Sequence, residues 1–398
     1  MTDTLYSQIT GAADALKETL IEVRRHLHRH PELARAEFET SEYLRHFLAS
    51  QKVFELHRVG ETGFCADLVT DAKKPWLAFR ADMDALPIPD EKAVSYRSAH
   101  PGVSHSCGHD FHSTVALGTA CILGKMRDRL PGNIRFIFQH AEEPIPGGAV
   151  DFVEAGLLDN INAIIGLHAD PDLLSGRVGL TEGWLTAQSM HLQITIDGPG
   201  GHSARPHETS DPIYTGSAVL NALYGGLYRN LNNATPFVFT IGKINAGDSY
   251  NSIARNFSAE GTLRITDPEQ GDALLEVIGH TLASACKPEQ LEYDLKVTKG
   301  ALPVVNDRDL TERTRRILGR ILEPGQITQA TRSMGGEDFS AFLTKAPGVF
   351  LRIGVGNGNF SAPVHSGLFD IDERTIDFAV KLFPWLLVHL LETEKADI

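Results

Sequence analysis

The sequence has few cysteines, and their scarcity excludes one class of protein. Four cysteines at scattered positions among 398 residues are too few for a disulfide framework. One of them, Cys107, stands in a cluster of histidines and aspartates. This setting favours a metal ligand or a reactive thiol at Cys107.

Long apolar segments and an excess of positive charge are also missing. No apolar run approaches the roughly 20 residues that cross a membrane, and the first twenty residues show neither the basic nor the apolar stretch of a secretory signal. The 51 acidic residues outnumber the 37 basic ones, and the formal net charge of -14 repels nucleic acid and anionic membranes. We therefore expect a cytoplasmic protein that binds neither nucleic acid nor membrane.

The apolar pattern predicts an α/β fold. Short apolar runs alternate with helical patterns of the length that βαβ units use, which indicates a mainly parallel sheet with helices on both faces. The predicted strands lie at 65–69, 76–80, 133–139, 163–167 and 349–354, and the predicted helices at 7–29, 41–48, 112–126, 310–322 and 372–391.

A second pattern begins near Gly183. The elements that follow have the order β-α-β-β-α-β, which is the ferredoxin-like order of an α+β unit. A complete small unit between two stretches of parallel α/β character suggests an inserted domain. We predict that residues 1–185 and 299–398 form the larger domain and that residues 186–298 form the insertion.

Side chains that can bind metals follow the predicted strands, where an open α/β sheet presents its ligand crevice. Each motif alone leaves an ordinary explanation open: Asp84 could cap a helix, His168 could be a structural histidine, and a Glu-Glu pair is common on surfaces. The signal lies in the set, because several ligand types on different sheet segments can meet in one crevice. The set, which indicates a metal hydrolase, is Cys107, His109, Glu143, His168 and His365.

Glu142 stands beside one of these candidate ligands. Adjacent glutamates point in different directions, so Glu143 can ligate a metal while Glu142 takes a proton from the attacking water. Nearby, Asp110 could be a helix N-cap and His112 a first-turn residue, and neither role needs a metal. For His112 the structural and the functional interpretation both stay open.

The inserted domain has candidate residues of its own. Its glycine-rich segment 198–204 contains His202, which could polarise a carbonyl or stabilise an oxyanion. The alternative is a flexible hairpin with an exposed histidine. Asn251 and Arg264 supply an amide and a cation that could face the same cleft, although Arg264 could equally be an exposed strand residue.

Specific short motifs follow one another along nearly the whole chain: RRHLHRHPEL, FRADMDALPI, SCGHDFH, FQHAEEP, GLHAD, GPGGHSARP, DPI, GTLR, GGEDFS and VHS. In this order and combination the sequence resembles the dinuclear-metal amidohydrolases of the aminoacylase and carboxypeptidase-G clan. Within that clan it looks like the hippurate hydrolase and indoleacetyl-amino-acid hydrolase branch.

The resemblance implies two divalent metal ions per subunit on the five candidate ligands, zinc or manganese, with nickel or cobalt as alternatives. It implies that Glu142 is the general base, that Asp84 orients a metal ligand, and that His202 acts on the scissile carbonyl. It also implies that the insertion closes as a lid and mediates self-association, as a homodimer or homotetramer. The substrate-binding positions that it implies are Asn251, Arg264, Gly335 and Gly336.

The implied reaction is hydrolysis of an N-acyl amino acid to a carboxylic acid and a free amino acid. Two positions depart from the family pattern: His140 replaces a usual proline, and the segment 251–254 reads Asn-Ser-Ile-Ala instead of Asn-Val-Ile-Pro. The acyl and amino acid preferences of relatives are therefore not carried over. Two alternatives stay open: a dipeptidase or aminopeptidase of the same clan, and a catalytically inactive small-molecule binding protein.

Overall fold

The computed structural model describes residues 2–358 and 362–394. The chain divides into two compact units. The larger comprises Met1–Leu185, Val304–Thr331 and Asp338–Ile398, and the smaller comprises Thr186–Pro303 and Arg332–Glu337. Residues 299–303 and 332–337 were predicted in the larger domain, but they pack with the inserted unit.

The larger unit is built around an eight-stranded sheet among the described residues. Its four central strands are parallel to one another, which confirms the predicted parallel core. The sheet as a whole is mixed, because strands on both sides of this core pair in the antiparallel direction. From one edge to the other the strands are Glu55–Val59, Gly63–Leu68, Asn133–Gln139, Trp76–Asp82, Ala163–Leu174, Gly348–Gly356, Val178–Gly179 and Ile327–Thr328. A separate pair joins Gly183–Trp184 to Val305–Asn306.

Both faces of this sheet are buried under helices. Along the strand Asn133–Gln139, Phe136 and Phe138 pack into one apolar cluster and Ile137 into another, as the two-residue period of a strand requires. The first cluster includes three long helices that pack on one another, and the second includes two short ones. The helices of the larger unit are Thr2–Arg29, Phe38–Ser50, His109–Gly124, Ala149–Glu154, Arg308–Leu318, Ser340–Leu343 and Arg374–Glu394, with a 3-10 turn at Arg127–Arg129.

The smaller unit has the predicted β-α-β-β-α-β order. Its helices, Pro212–Arg229 and Pro268–Cys286, each begin with a proline after an aspartate whose carboxylate accepts two backbone N–H groups of the first turn. Its antiparallel sheet has the strand order Phe237–Ala246, Asn256–Ile265, Gln188–Asp197 and Glu292–Lys299. A short pair, Gly201–His202 with Ser252–Ile253, and a 3-10 turn at Pro206–Glu208 complete the unit.

Among the described residues, no helix combines the length and the apolarity that are needed to span a bilayer.

Candidate metal centre

Four of the five predicted ligands lie within or just after a strand of the sheet, or at the start of one helix. Cys107 precedes the helix His109–Gly124, and between them Gly108 adopts the left-handed conformation, with φ at 89°, which glycine tolerates and other residues rarely adopt. Glu143 follows the strand Asn133–Gln139. His168 was expected beyond its strand, but the strand continues to Leu174, so His168 lies within it.

The fifth predicted ligand, His365, comes from a loop late in the chain. Its backbone is left-handed, with φ at 64°, and its N–H donates to the carbonyl of Ser106 at 2.7 Å. This hydrogen bond attaches the loop to the residue before Cys107. The His365 side chain is 51% exposed, so it forms the solvent side of the cluster.

The structure brings the five predicted ligands together in two groups that share one thiol. The ligand atoms of Cys107, His109 and His168 lie within 4.8 Å of one another, and so do those of Cys107, Glu143 and His365. Cys107 Sγ is 3.4 Å from His168 Nε2, and His365 Nε2 is 3.5 Å from Glu143 Oε1. Thiol, imidazole and carboxylate are the donors that zinc and related divalent ions take in proteins.

Two of these ligand atoms are buried without a partner. His109 Nε2 and Glu143 Oε1 have no hydrogen-bond partner among the described residues. An unpaired buried polar atom costs about 1–3 kcal/mol, and a bound cation would satisfy both atoms. Burial, and next the Glu143 carboxylate, raise the pKa of the Cys107 thiol to about 12, so a thiolate at this position needs a cation close by. The residues therefore fit divalent metal ions.

The hydrogen bonds of His168 and His109 leave the Nε2 atom of each ring available to bind a metal. His168 Nδ1 lies 2.7 Å from the Ala169 carbonyl, which only accepts, so Nδ1 carries the hydrogen and Nε2 keeps its lone pair. Burial, with Arg352 and His112 nearby, holds the pKa of His168 well below its ordinary value and keeps the ring neutral. His109 Nδ1 donates to Asp84 Oδ1 at 3.2 Å, which leaves Nε2 as the nitrogen of this ring that could bind a metal.

Asp84 contacts two of the predicted ligand segments. One carboxylate oxygen accepts from His109 Nδ1, and the other accepts the backbone N–H of Glu143 at 3.1 Å. Hydrogen bonds of this kind fix the direction and the basicity of metal ligands. The geometry is compatible with the orienting role that was predicted for Asp84.

Glu142 lies beside the same ligands. Its Oε2 is 4.0 Å from His109 Nε2, and the ligand atoms of His109, Glu142 and Glu143 form a third close group. The residue before it, Ala141, has φ at 50°, a left-handed conformation that costs an L-residue roughly 1–2 kcal/mol. His140, the replacement for the usual proline, is buried and contacts Asp151 through Nε2 at 2.8 Å.

The structural interpretation of His112 is the one that its contacts support. Its Nδ1 donates to Asp82 Oδ1 at 2.6 Å, and its Nε2 accepts the N–H of Ala169 at 2.8 Å. Both ring nitrogens are therefore committed to protein partners. Burial opposes the ionisation of Asp82, but His109, His112 and Arg80 outweigh it and hold its pKa well below the ordinary value.

Two buried ionic networks behind the cluster were not predicted. In one, the fully buried guanidinium of Arg80 donates to Gln139, Asp82 and Asp338 at 2.7, 2.7 and 3.1 Å. A charged residue inside an apolar strand is the sequence signal that could have indicated this network.

In the second network, Asp110 is not the N-cap that was one alternative, because Gly108 has that position. Its Oδ2 forms an ion pair with Arg24 Nε at 2.9 Å and accepts a hydrogen bond from His28 Nδ1 at 2.7 Å. These contacts attach the first helix to the segment that carries Cys107 and His109.

Two predicted residues of the smaller unit, His202 and Asn251, are exposed and have local partners. His202 Nδ1 accepts the N–H of Ala204 at 3.1 Å, so Nε2 carries the hydrogen and can donate it to a carbonyl oxygen. Asn251 immediately precedes Ser252, the strand partner of His202, and its side-chain oxygen accepts from Ser249 Oγ.

The remaining substrate-binding candidates meet elsewhere in the smaller unit. Arg264 Nη1 donates to the carbonyl of Met334 at 2.9 Å, directly before Gly335 and Gly336. The Gly335 carbonyl accepts the N–H of Ala187, and its N–H donates to Ser333 Oγ. The structure therefore places Arg264 beside the predicted glycine loop.

Comparisons with known proteins identify a family and similar relatives. The sequence model of peptidase family M20/M25/M40 matches residues 78–387. The chain is 35% identical over 386 residues to an N-acetylcysteine deacetylase of Bacillus subtilis, covering 96% of this chain and 100% of the relative. It is 36% identical over 299 residues to an N-acyl-L-amino acid amidohydrolase of Geobacillus stearothermophilus, covering 75% and 81%. A crystal structure of a Bacillus subtilis protein, described as a dinuclear metal binding peptidase from the M20 family, matches with a TM-score of 0.83 and 34% identity over 96% of this chain and 99% of that one.

Proposed function

This chain belongs to peptidase family M20/M25/M40, and we propose that it hydrolyses the amide bond of N-acyl amino acids with the help of two divalent metal ions. The observation that carries the proposal is the pair of ligand groups that share Cys107, with Glu142 beside them. The relatives named for N-acetylcysteine and N-acyl-L-amino acids support this substrate class.

The ligand groups divide between two metal positions. Cys107, His109 and His168 would hold one ion, and Cys107, Glu143 and His365 the other. When bound, such ions lower the pKa of water and polarise a carbonyl. A thiolate with imidazoles suits zinc, and imidazole with carboxylate also suits manganese, nickel or cobalt. We propose zinc or manganese, which elemental analysis of the purified protein tests.

The protein residues supply the proton transfers and the substrate contacts. The Glu142 carboxylate takes the proton of the attacking water and later delivers it to the leaving nitrogen. His202 donates a hydrogen bond from Nε2–H to the carbonyl oxygen as negative charge develops there, and keeps its proton. Asn251 and Arg264, with the loop at Gly335 and Gly336, bind the amino acid part of the substrate.

The first experiment measures amino acid release from a panel of N-acyl amino acids. The panel keeps one amino acid and varies the acyl group from acetyl to benzoyl to longer chains. We expect release by the metal-replete protein, loss of release after treatment with a chelator, and recovery when zinc or manganese is added back. The acyl group that is released fastest identifies the preference of the site.

Two rival functions give different results in the same assay. A dipeptidase or aminopeptidase requires a free amine, so it would cleave a dipeptide and leave the matching N-acetyl amino acid intact. An inactive binding protein would bind the N-acyl amino acid without releasing any product. Either result with metal-loaded protein contradicts the proposed reaction.

Two further predictions concern the whole protein in the cell. We propose self-association as a homodimer or homotetramer through the inserted unit, which light scattering of the purified protein tests. We also propose a cytoplasmic location, which cell fractionation tests.

A further inference from the structure

Glu37 is a buried carboxylate that the chemistry described above does not use. It precedes the helix Phe38–Ser50, where an acidic residue would ordinarily cap the first turn, yet its side chain makes no such cap. Glu32 performs that function, because its two carboxylate oxygens accept the N–H groups of Glu39 and Thr40 at 3.2 and 2.8 Å. The Glu37 side chain is therefore available for other partners.

One partner, Ala141, lies 104 residues further along the chain, and the other, Thr62, lies 25 residues further along. Glu37 Oε1 accepts the backbone N–H of Ala141 at 2.7 Å, and Oε2 accepts from Thr62 Oγ1 at 2.7 Å. All three residues are at most 1% exposed. Burial raises the pKa of the Glu37 carboxyl, so the geometry rather than a charge carries the contact: both carboxyl oxygens are engaged, and one of them accepts the Ala141 N–H at a short distance.

Ala141 needs such a partner because its backbone conformation is unfavourable. With φ at 50° it adopts the left-handed region, which a residue with a Cβ keeps only when its surroundings enforce it. Its N–H is bound by Glu37, and its carbonyl accepts the N–H of Gly148 at 2.7 Å. Both polar groups of this peptide segment are thus held in place.

The peptide on the other side of Glu142 is held in the same way. The N–H of Glu143 donates to Asp84 Oδ2 at 3.1 Å. The backbone of Glu142 therefore lies between two N–H groups, each bound by a buried carboxylate. We propose that Glu37 is a positioning residue which, together with Asp84, fixes the backbone of Glu142 in the orientation that general-base catalysis requires. The inference rests on the proposed function of Glu142.

Loss of this contact has a consequence that differs from a general loss of stability. Without an acceptor for its N–H, Ala141 can leave the left-handed region, and the Glu142 side chain then turns away from its position. A displacement of about 1 Å at a catalytic group can lower a rate by about 100-fold. Glu143 is two residues from Ala141, so metal affinity should respond as well, but less strongly.

The test compares Glu37→Ala with Glu37→Gln and Thr62→Val. The glutamine variant is the conservative rescue, because its amide oxygen can accept the Ala141 N–H while its amide group donates to Thr62. The Thr62→Val variant is the matched control, because it removes the other hydrogen bond of the same carboxylate and leaves the bond to Ala141. For each variant we would measure kcat, KM, the unfolding temperature, zinc affinity of the metal-free protein by chelator competition, and amide hydrogen exchange in the peptide around Ala141.

We expect Glu37→Ala to lower kcat by about 10- to 100-fold with KM changed by less than about threefold. Zinc affinity should fall by about three- to tenfold, and amide exchange around Ala141 should become faster. Glu37→Gln should stay within about threefold of the wild-type kcat. Thr62→Val should lower the unfolding temperature while kcat stays within about twofold.

Two outcomes would overturn the inference. One is a kcat for Glu37→Ala that falls no further than that of Thr62→Val; the other is a Glu37→Gln protein as impaired as Glu37→Ala. Failure of the proposed function is recognised separately, because the wild-type protein would then release no amino acid from any substrate. In that case zinc affinity and amide exchange still decide whether Glu37 positions the segment: unchanged values in Glu37→Ala would reject it.

Discussion

The candidate residues of the larger unit and those of the inserted unit are held in different ways. In the larger unit, His109 is buried, and its outward nitrogen is fixed because Asp84 binds the other one. In the inserted unit, His202 is exposed, and its ring accepts a hydrogen bond from the neighbouring Ala204. The first arrangement would preset the geometry of the proposed metal site, as catalysis by preorganised groups requires. The second leaves the His202 ring without a comparable buried partner.

The ion pairs of the two units also differ in burial, and those of the larger unit are again the more buried. Arg80 and Arg24 of the larger unit are fully buried between carboxylates. In the inserted unit, the pair of Lys243 with Glu260 is exposed to solvent. Removal of one partner from a buried pair typically costs 3–5 kcal/mol, whereas an exposed pair contributes about 0–1 kcal/mol. Removal of one partner of an ion pair should therefore destabilise the larger unit more than the inserted unit.

The largest effect is expected for Glu142→Gln in the preset site. The amide cannot take a proton, so kcat should fall by about 100- to 10,000-fold. Metal content, measured by elemental analysis, should stay at the wild-type level because Glu142 is not among the proposed ligands. Glu154→Gln, at an exposed position of a short helix, is the control and should retain full activity. Turnover by Glu142→Gln within tenfold of wild type would contradict its role as general base.

The second largest effect is expected for a residue of the inserted unit, His202, whose loss should leave the metal site unchanged. His202→Ala should lower kcat by about 100- to 1,000-fold, the usual result of removing one oxyanion donor. Because His202 is exposed, the unfolding temperature and the metal content should not change. His207→Ala is the matched control, since His207 is also exposed and lies in the next turn of the same unit. Equal activity of the two variants would remove His202 from the mechanism.

A smaller effect is expected for Asp84→Asn, which tests how firmly the preset site is held. One carboxylate accepts from both His109 and Glu143, whereas an amide oxygen can replace only one of its two oxygens. Metal affinity should fall by about 10- to 100-fold in a chelator competition assay. In the inserted unit, Asp211→Ala removes a helix cap and should cost about 1 kcal/mol of stability with metal affinity unchanged. Unchanged metal affinity in Asp84→Asn would show that Asp84 does not orient the ligands.

The parts of the structure that follow from local pattern could be predicted from the sequence. The central strands, the long helices and the β-α-β-β-α-β order follow from apolar periodicity. Four members of the ligand set could be proposed because each follows a predicted strand or stands where a helix begins, whereas His365, in a loop late in the chain, was included only as part of the set. Strands of two residues, such as Val178–Gly179, are too short to show any period, and they were missed.

The contacts that support the site could not be predicted in this way. Arg80 meets Asp338 across 258 positions of the chain, and Glu37 meets Ala141 across 104. Such partners are set by the tertiary packing of the sheet, which a single sequence does not specify. The left-handed conformation of Ala141 could not be predicted either, because alanine rarely adopts a positive φ.

The smallest effect concerns acid stability and distinguishes the two units. Burial alone would raise the pKa of Asp90 and of Asp370, but His28 and Arg24, respectively, with further contacts, lower both below the ordinary value. A carboxylate with a depressed folded-state pKa contributes stability above its unfolded pKa of about 3.9, and this contribution is lost as the pH falls below that value. The larger unit should therefore lose stability progressively as the pH decreases from about 4.

Tryptophan fluorescence can follow the larger unit alone, because Trp76, Trp184 and Trp385 all belong to it. In urea unfolding of the metal-free protein, the midpoint from fluorescence should fall between pH 5 and pH 3 by more than the midpoint from far-ultraviolet circular dichroism, which reports on both units. Asp370→Asn should reduce this difference, because the amide has no charge to lose. Equal pH dependence of the two midpoints would mean that the buried carboxylates do not make the larger unit more sensitive to acid than the inserted one.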